Sequence, residues 1–150
     1  MRILLDTNFL VRLRDADHPR HTVCAQTARL LQQGEHLPCG CAQVLIEYWV
    51  VATRPLEVNG LGLTTAEAEE DLTDFARAYV WLREPPDLVH RWRALVNQHA
   101  VRGRPAHDAR LVAVMQAHGL NHLLTLNPAD FKRYSGMVSV SPEEVLAGSL

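Results

Sequence analysis

Brief apolar runs alternate along this chain with longer stretches whose apolar residues recur at helical spacing. "RILLD" (residues 2–6), "HLPCG" (36–40), "YVWL" (79–82), "HLLTL" (122–126) and "MVSV" (137–140) are short, and apolar residues dominate them without strict in–out alternation. Runs of that kind predict strands buried on both faces. Between them, residues 8–17, 21–34, 41–55, 64–78, 85–100 and 106–119 read as helices, with a short helix over 128–134 and a capped one over 141–148. The punctuation agrees. Gly34 and Gly119 close two helices, Pro55 follows a third, and Thr64 with Glu67 forms a capping box. Pro85 and Pro86 open the helix of 85–100. Residues 57–63 and 101–105 read as loops. Apolar residues almost encircle the segment 41–55, which predicts a deeply buried helix.

Strands that alternate with helices predict a parallel sheet covered on both faces. The expected fold is α/β, a short five-stranded parallel sheet with helices on both faces. At 150 residues, one domain spanning 1–150 is the expectation. In such sheets ligands bind beyond the carboxyl ends of the strands. Asp6 follows the first strand and Asn127 the fourth, so polar residues at both positions draw attention.

Composition narrows the classes. No segment approaches the roughly 20 apolar residues of a membrane helix, and "MRILLDTN" lacks a signal-peptide layout. A soluble cytoplasmic protein is expected. Three cysteines, Cys24, Cys39 and Cys41, suit reduced buried thiols rather than a disulfide framework. The eight histidines are scattered, and "HPRH" has no partner pair, which argues against structural zinc. The net charge of −2, with 14 Arg and the single Lys132, provides no global field for nucleic acid. Any such contact needs a local patch, and Arg102 and Arg104 in "VRGRP" are placed to clamp phosphates. Trp49, Trp81 and Trp92 read as core residues.

Four acids stand out, and each has a structural and a chemical reading. Asp6 fits a helix cap, yet Thr7 and Asn8 beside it can both hold a carboxylate. Glu47 interrupts the most apolar helix, so it is either exposed on a narrow stripe or buried and paired. Asp108 falls in a first helical turn, where the helix dipole favours an acid. Ala106, Ala109 and Ala113 also make that helix a candidate for close packing. Asn127 and Asp130, around Pro128, make a good helix start at the end of an interior strand. Should these acids converge, they would bind a hard divalent cation such as Mg²⁺, which takes one or two carboxylates and keeps several waters.

The stretches "ILLDTNFLV", "QVLIEYWVVATRP", "HDARLVAVMQAHG" and "LLTLNPADFKRY", in that order, resemble the PIN-domain ribonucleases. In particular they resemble the VapC toxins of VapBC toxin–antitoxin pairs. The resemblance spans residues 3 to 134. It implies a three-layer, Rossmann-like α/β/α sandwich and an endoribonuclease dependent on Mg²⁺, with Mn²⁺ as substitute, that acts on RNA, often as a homodimer, and is held by a VapB-type antitoxin. Carried over by position, Asp6 and Asp108 correspond to the main metal-binding acids and Glu47 to a third acid. Asn8 and Thr125 correspond to supporting polar groups. Asn127 departs from the pattern, because many relatives carry Asp there. Asp130 is the nearest acid and the candidate replacement.

Other classes fit less well. A haloacid-dehalogenase-type phosphatase needs an Asp where Asn8 stands. A receiver domain needs an acceptor Asp directly after the third strand and a Lys after the fifth, whereas Lys132 precedes the fifth. A catalytically weak PIN-like RNA-binding or regulatory module is the alternative that shares the same fold.

Overall fold

Ile3, Leu4 and Leu5 are all fully buried although successive strand residues point to opposite faces of a sheet. Strand β1 (Arg2–Leu5) is therefore covered on both sides. The computed structural model describes residues 1–34 and 36–150. In it β1 pairs in parallel with β2 (Leu37–Cys41) on one side and β4 (His122–Leu124) on the other. β3 (Val80–Leu82) and β5 (Val138–Val140) form the edges, giving the order β3-β2-β1-β4-β5. This is the expected three-layer α/β/α architecture, with Asp6 and Thr125 emerging side by side from two central strands.

Interior strand β2 tolerates Pro38, which lacks an N–H, because β3 pairs with it only from Cys39 onward. At Pro38 the strand has a neighbour on one side alone. Gly40 is needed for a different reason. It lies opposite Trp81 across the β2–β3 register, and a Cβ there would fall 2.0 Å from Trp81 Cζ3. The indole packs in the space that the glycine leaves, while its Nε1 donates to the Phe75 carbonyl.

Helices α1 (Thr7–Arg14), α2 (His21–Gln33), α3 (Ala42–Thr53) and α4 (Thr65–Ala78) precede β3. α5 (Leu88–Gln98) and α6 (Pro105–His118) pack on each other, and α7 (Pro142–Leu146) packs on α2. The Thr64–Glu67 capping box forms, as does a second one at Ser141 and Glu144. Gly119 ends α6 with a left-handed φ of 64°. Gly34 also ends its helix, but in extended conformation rather than as a left-handed C′ residue. The Pro85–Pro86 pair does not open α5. It lies in the preceding turn, where the Pro85 carbonyl accepts from Leu88 N–H. Residues 57–63 fold back on α3 through backbone bonds from Leu61, Gly62 and Leu63 to Val51, Arg54 and Ala52, with a 3₁₀ turn over Leu56–Val58.

The main departure concerns α3. Val44, Tyr48 and Ala52 face the core at four-residue spacing, but Ile46 is 64% exposed and Val50 48%. An encircling apolar sequence predicted burial all round. One side of α3 instead forms the wall of an open cleft at the carboxyl end of the sheet. Cys24, Cys39 and Cys41 are free and buried. The three tryptophans pack against the core from partly buried positions. Among the described residues, no helix is long and apolar enough to cross a membrane.

Candidate functional site

The end of β1 fixes the floor of the cleft. Asp6 N–H donates to the Leu124 carbonyl, continuing the sheet ladder by one residue. The Asp6 carboxylate occupies the N-cap position of α1 yet makes no side-chain cap bond. It accepts instead from the Thr125 hydroxyl, at 2.7 Å to Oδ2. The same hydroxyl oxygen accepts from Asn8 Nδ2 and from the Asn127 backbone N–H, both at 3.1 Å. With two donors already directed at its oxygen, the Thr125 proton is aimed at Asp6. Asn8 is oriented in turn, because its Oδ1 accepts from Leu126 N–H.

Glu47 reaches the cleft from the half-buried side of α3. Thr7 Oγ1 donates to its Oε2 at 2.9 Å, and Gln43 Nε2 donates to its Oε1 at 2.8 Å. Of the two polar residues after Asp6, only Thr7 bonds a carboxylate with its side chain. Thr7 grips Glu47 directly, whereas Asn8 acts on Asp6 only through Thr125.

Asp108 sits in the first turn of α6, three residues after Pro105 at the helix start. Ala109 and Ala113 on this helix are fully buried and Ala106 is partly buried, so its small residues turn toward the core. Asn127 immediately precedes the 3₁₀ turn Pro128–Phe131, and Asp130 lies within it. The Asn127 side chain makes no cap bond, although its carbonyl accepts from Asp130 N–H. Asp6, Asn8, Glu47, Asp108, Asn127 and Asp130 all line one cleft of about 710 Å³.

The acids disturb one another. Burial pushes the Asp6 carboxyl up to about 6. The Thr125 hydroxyl and the Thr7 backbone N–H pull the other way, and the charges of Glu47 and Asp108 push further up. Asp108 is also raised, first by burial and then by Asp130 and Glu47, while His107 and Arg104 oppose the shift. A cation would relieve this repulsion. The donors are all oxygens, which matches a hard divalent ion. Among the described residues, no three His, Cys, Asp or Glu side chains stand close enough to hold an ion by themselves. A site of two carboxylates completed by water is the mode that Mg²⁺ commonly adopts.

Guanidinium groups edge the acidic floor. Arg104 lines the cleft as expected, but Arg102 does not and is exposed beyond it. Arg12, Arg54 and Arg133 join the lining and were not singled out in the sequence. Arg12 shares the spacing of Arg102 and Arg104 through Arg14, and Arg133 follows Lys132, but neither local pattern tells which basic residue reaches the cleft. Thr125 is fully buried behind Asp6 rather than in the lining.

The PIN-domain family model matches residues 3–137, and the chain belongs to the PIN-domain family. Its fold is similar to that of VapBC2 from Rickettsia felis, solved bound to a DNA fragment from their promoter. That match has a TM-score of 0.70 at 16% identity and covers 94% of this chain and 98% of the other. VapBC-1 from nontypeable Haemophilus influenzae matches with a TM-score of 0.70 at 14% identity, covering 95% and 99%. VapC20 from Mycobacterium tuberculosis, a toxin that cleaves the sarcin–ricin loop, matches with a TM-score of 0.62 at 20% identity, covering 81% and 86%. Among curated proteins, none matches this sequence.

Proposed function

We propose that this chain, as one PIN domain, is a metal-dependent endoribonuclease serving as the toxin of a VapBC-type pair in the cytoplasm. The observation that carries the reading is the convergence of Asp6, Glu47, Asp108 and Asp130 on one cleft that arginines edge. Acids alone would repel a phosphodiester, so the site makes chemical sense with a divalent cation. Asp6 and Asp108 would hold Mg²⁺ or Mn²⁺. The ion supplies Lewis-acid polarisation of a phosphoryl oxygen and an activated water.

The protein's own groups do the rest. Arg104, Arg133, Arg12 and Arg54 draw the RNA backbone over the floor and orient its phosphates. Thr125 and the Thr7 N–H keep Asp6 available as an anion despite burial. Thr7 and Gln43 hold Glu47 with both oxygens placed. Asp130 adds negative charge beside Asp108 where Asn127 has none. A VapB-type antitoxin would silence the site by placing an arginine among the acids, and the toxin would act as a homodimer.

Cleavage of single-stranded RNA by purified protein with Mg²⁺ or Mn²⁺, with and without EDTA, tests the reaction. Cleavage should stop with EDTA and leave 5′-phosphate and 3′-hydroxyl ends. Asp6→Asn and Asp108→Asn should abolish it while circular dichroism remains that of the wild type. Undiminished cleavage by metal-stripped protein in EDTA would refute the reading. Expression without an antitoxin should arrest growth, and harmless expression of folded protein would count against a toxin.

A further inference from the structure

Gln43 is 6% exposed, and every polar atom of its amide is engaged. Its Nε2 donates to Glu47 Oε1 at 2.8 Å and to the His107 carbonyl at 2.9 Å. Its Oε1 accepts from Arg110 Nη1 at 2.9 Å. Arg110 can only donate and a backbone carbonyl can only accept, so these two partners leave the amide a single orientation. In that orientation the remaining amide proton is aimed at Glu47. Arg110 is itself held by an ion pair from its other terminal nitrogen to Glu84. The chain of contacts runs from the segment after β3, across α6, to α3, and ends at Thr7 on α1.

We infer that Gln43 is a positioning residue, locked by Arg110 and the His107 carbonyl, that fixes the Glu47 carboxylate in the cleft where Asp6 and Asp108 would hold the cation, so that its charge adds to theirs. The inference rests on the metal-dependent reading above. A buried glutamine on a helix could serve only to join α3 to α6, and its bond to the His107 carbonyl does join them. That role does not account for the second proton. It goes to one oxygen of Glu47 while Thr7 takes the other, so the carboxylate is gripped from two elements at once. Removing an outer-shell partner of a metal site typically costs 10–100-fold in metal affinity or activity.

The test uses Gln43→Met, close in volume and without hydrogen bonds, and Arg110→Met, which unlocks the amide and leaves it in place. Mn²⁺ titration by calorimetry is read beside thermal melts and circular dichroism, with wild type and Asp6→Asn as references. Gln43→Met should weaken Mn²⁺ binding about 10-fold or more, and Arg110→Met should weaken it in the same direction by less. In a Glu47→Gln background, adding Gln43→Met should change Mn²⁺ affinity less than threefold, because the group through which it acts is already lost. A lowered melting temperature with unchanged Mn²⁺ affinity would make Gln43 a packing residue and overturn the inference. So would a full, multiplicative loss in the Glu47→Gln background. These results leave the functional reading intact so long as wild type binds Mn²⁺ and Asp6→Asn does not. Wild type that neither binds Mn²⁺ nor cleaves RNA would overturn both.

Discussion

Thr125 and Asp6, 119 residues apart in sequence, share a buried 2.7 Å hydrogen bond at adjacent strand ends. The bond is the principal force holding Asp6 toward its charged form against burial. Thr125→Val removes the donor at nearly constant volume and leaves Asn8 and the Asn127 N–H without their acceptor. The variant should lose about 1–3 kcal/mol of stability. The Asp6 carboxyl should titrate above its wild-type value, and Mn²⁺ binding should weaken. Thr125→Ser should retain most of each. Urea melts and Mn²⁺ titration across pH check this, and a silent Thr125→Val would remove the residue from the site.

The raised Asp6 carboxyl gives metal-free stability a specific pH dependence. Its folded value, about 6, lies above the ordinary 3.8, so between these values the folded state binds more protons than the unfolded one. Stability therefore falls as pH rises through that window. A gap of this size corresponds to about 3 kcal/mol once Asp6 is fully ionised. Asp108 is shifted in the same direction and adds to the effect. Asp6→Asn should be more stable than wild type at neutral pH without metal, with a flatter profile between about pH 4 and 6. Denaturation in EDTA over that range measures it. Wild-type stability that rises with pH through the window would contradict the burial argument.

Asp130 heads the charges that raise Asp108, which supports assigning it the part that Asn127 leaves vacant. Asp130→Asn should weaken Mn²⁺ binding and slow cleavage, less than Asp6→Asn or Asp108→Asn does. Asn127→Asp should tighten Mn²⁺ binding, because an added carboxylate strengthens the attraction for a divalent ion. Calorimetry on the two variants separates this from a purely structural role. In that case Asp130→Asn would lower the melting temperature and leave affinity alone.

Gly40 and Trp81 make a packing prediction independent of the chemistry. Gly40→Ala puts a methyl group where the indole lies and should destabilise the protein by about 1–3 kcal/mol. Tryptophan fluorescence should shift as Trp81 is displaced. Trp81→Leu introduced with Gly40→Ala should recover part of the loss, since the overlap is with the ring. Additive losses in the double variant would show that the glycine is needed for another reason.

The local pattern of the sequence was enough to determine the α/β alternation and the ends of most elements, and to pick out the four acids that line the cleft. Strands, caps and turns obey rules of a few residues' range: Thr64 with Glu67, Gly119 after α6, the apolar run before Asp6. Local rules also leave ambiguities. A proline pair before a helix can start it or lie in the turn ahead of it, and Pro85–Pro86 does the latter. Apolar periodicity around α3 reports how greasy the helix is, not which side meets solvent, so Ile46 and Val50 were misplaced. Only the tertiary structure decided which groups share the cleft. β1 and β4 become neighbours through a crossover that spans most of the chain, and this alone brings Thr125 to Asp6. Arg54 and Arg133 reach the same rim from separate segments, while Arg102, two residues from Arg104, falls outside it. Gln43 stands one helical turn before Glu47, a local spacing that allows their bond, but nothing local marks Arg110 or locks the Gln43 amide. That lock lies in hydrogen bonds across 64 and 67 residues, which exist only once the helices have packed.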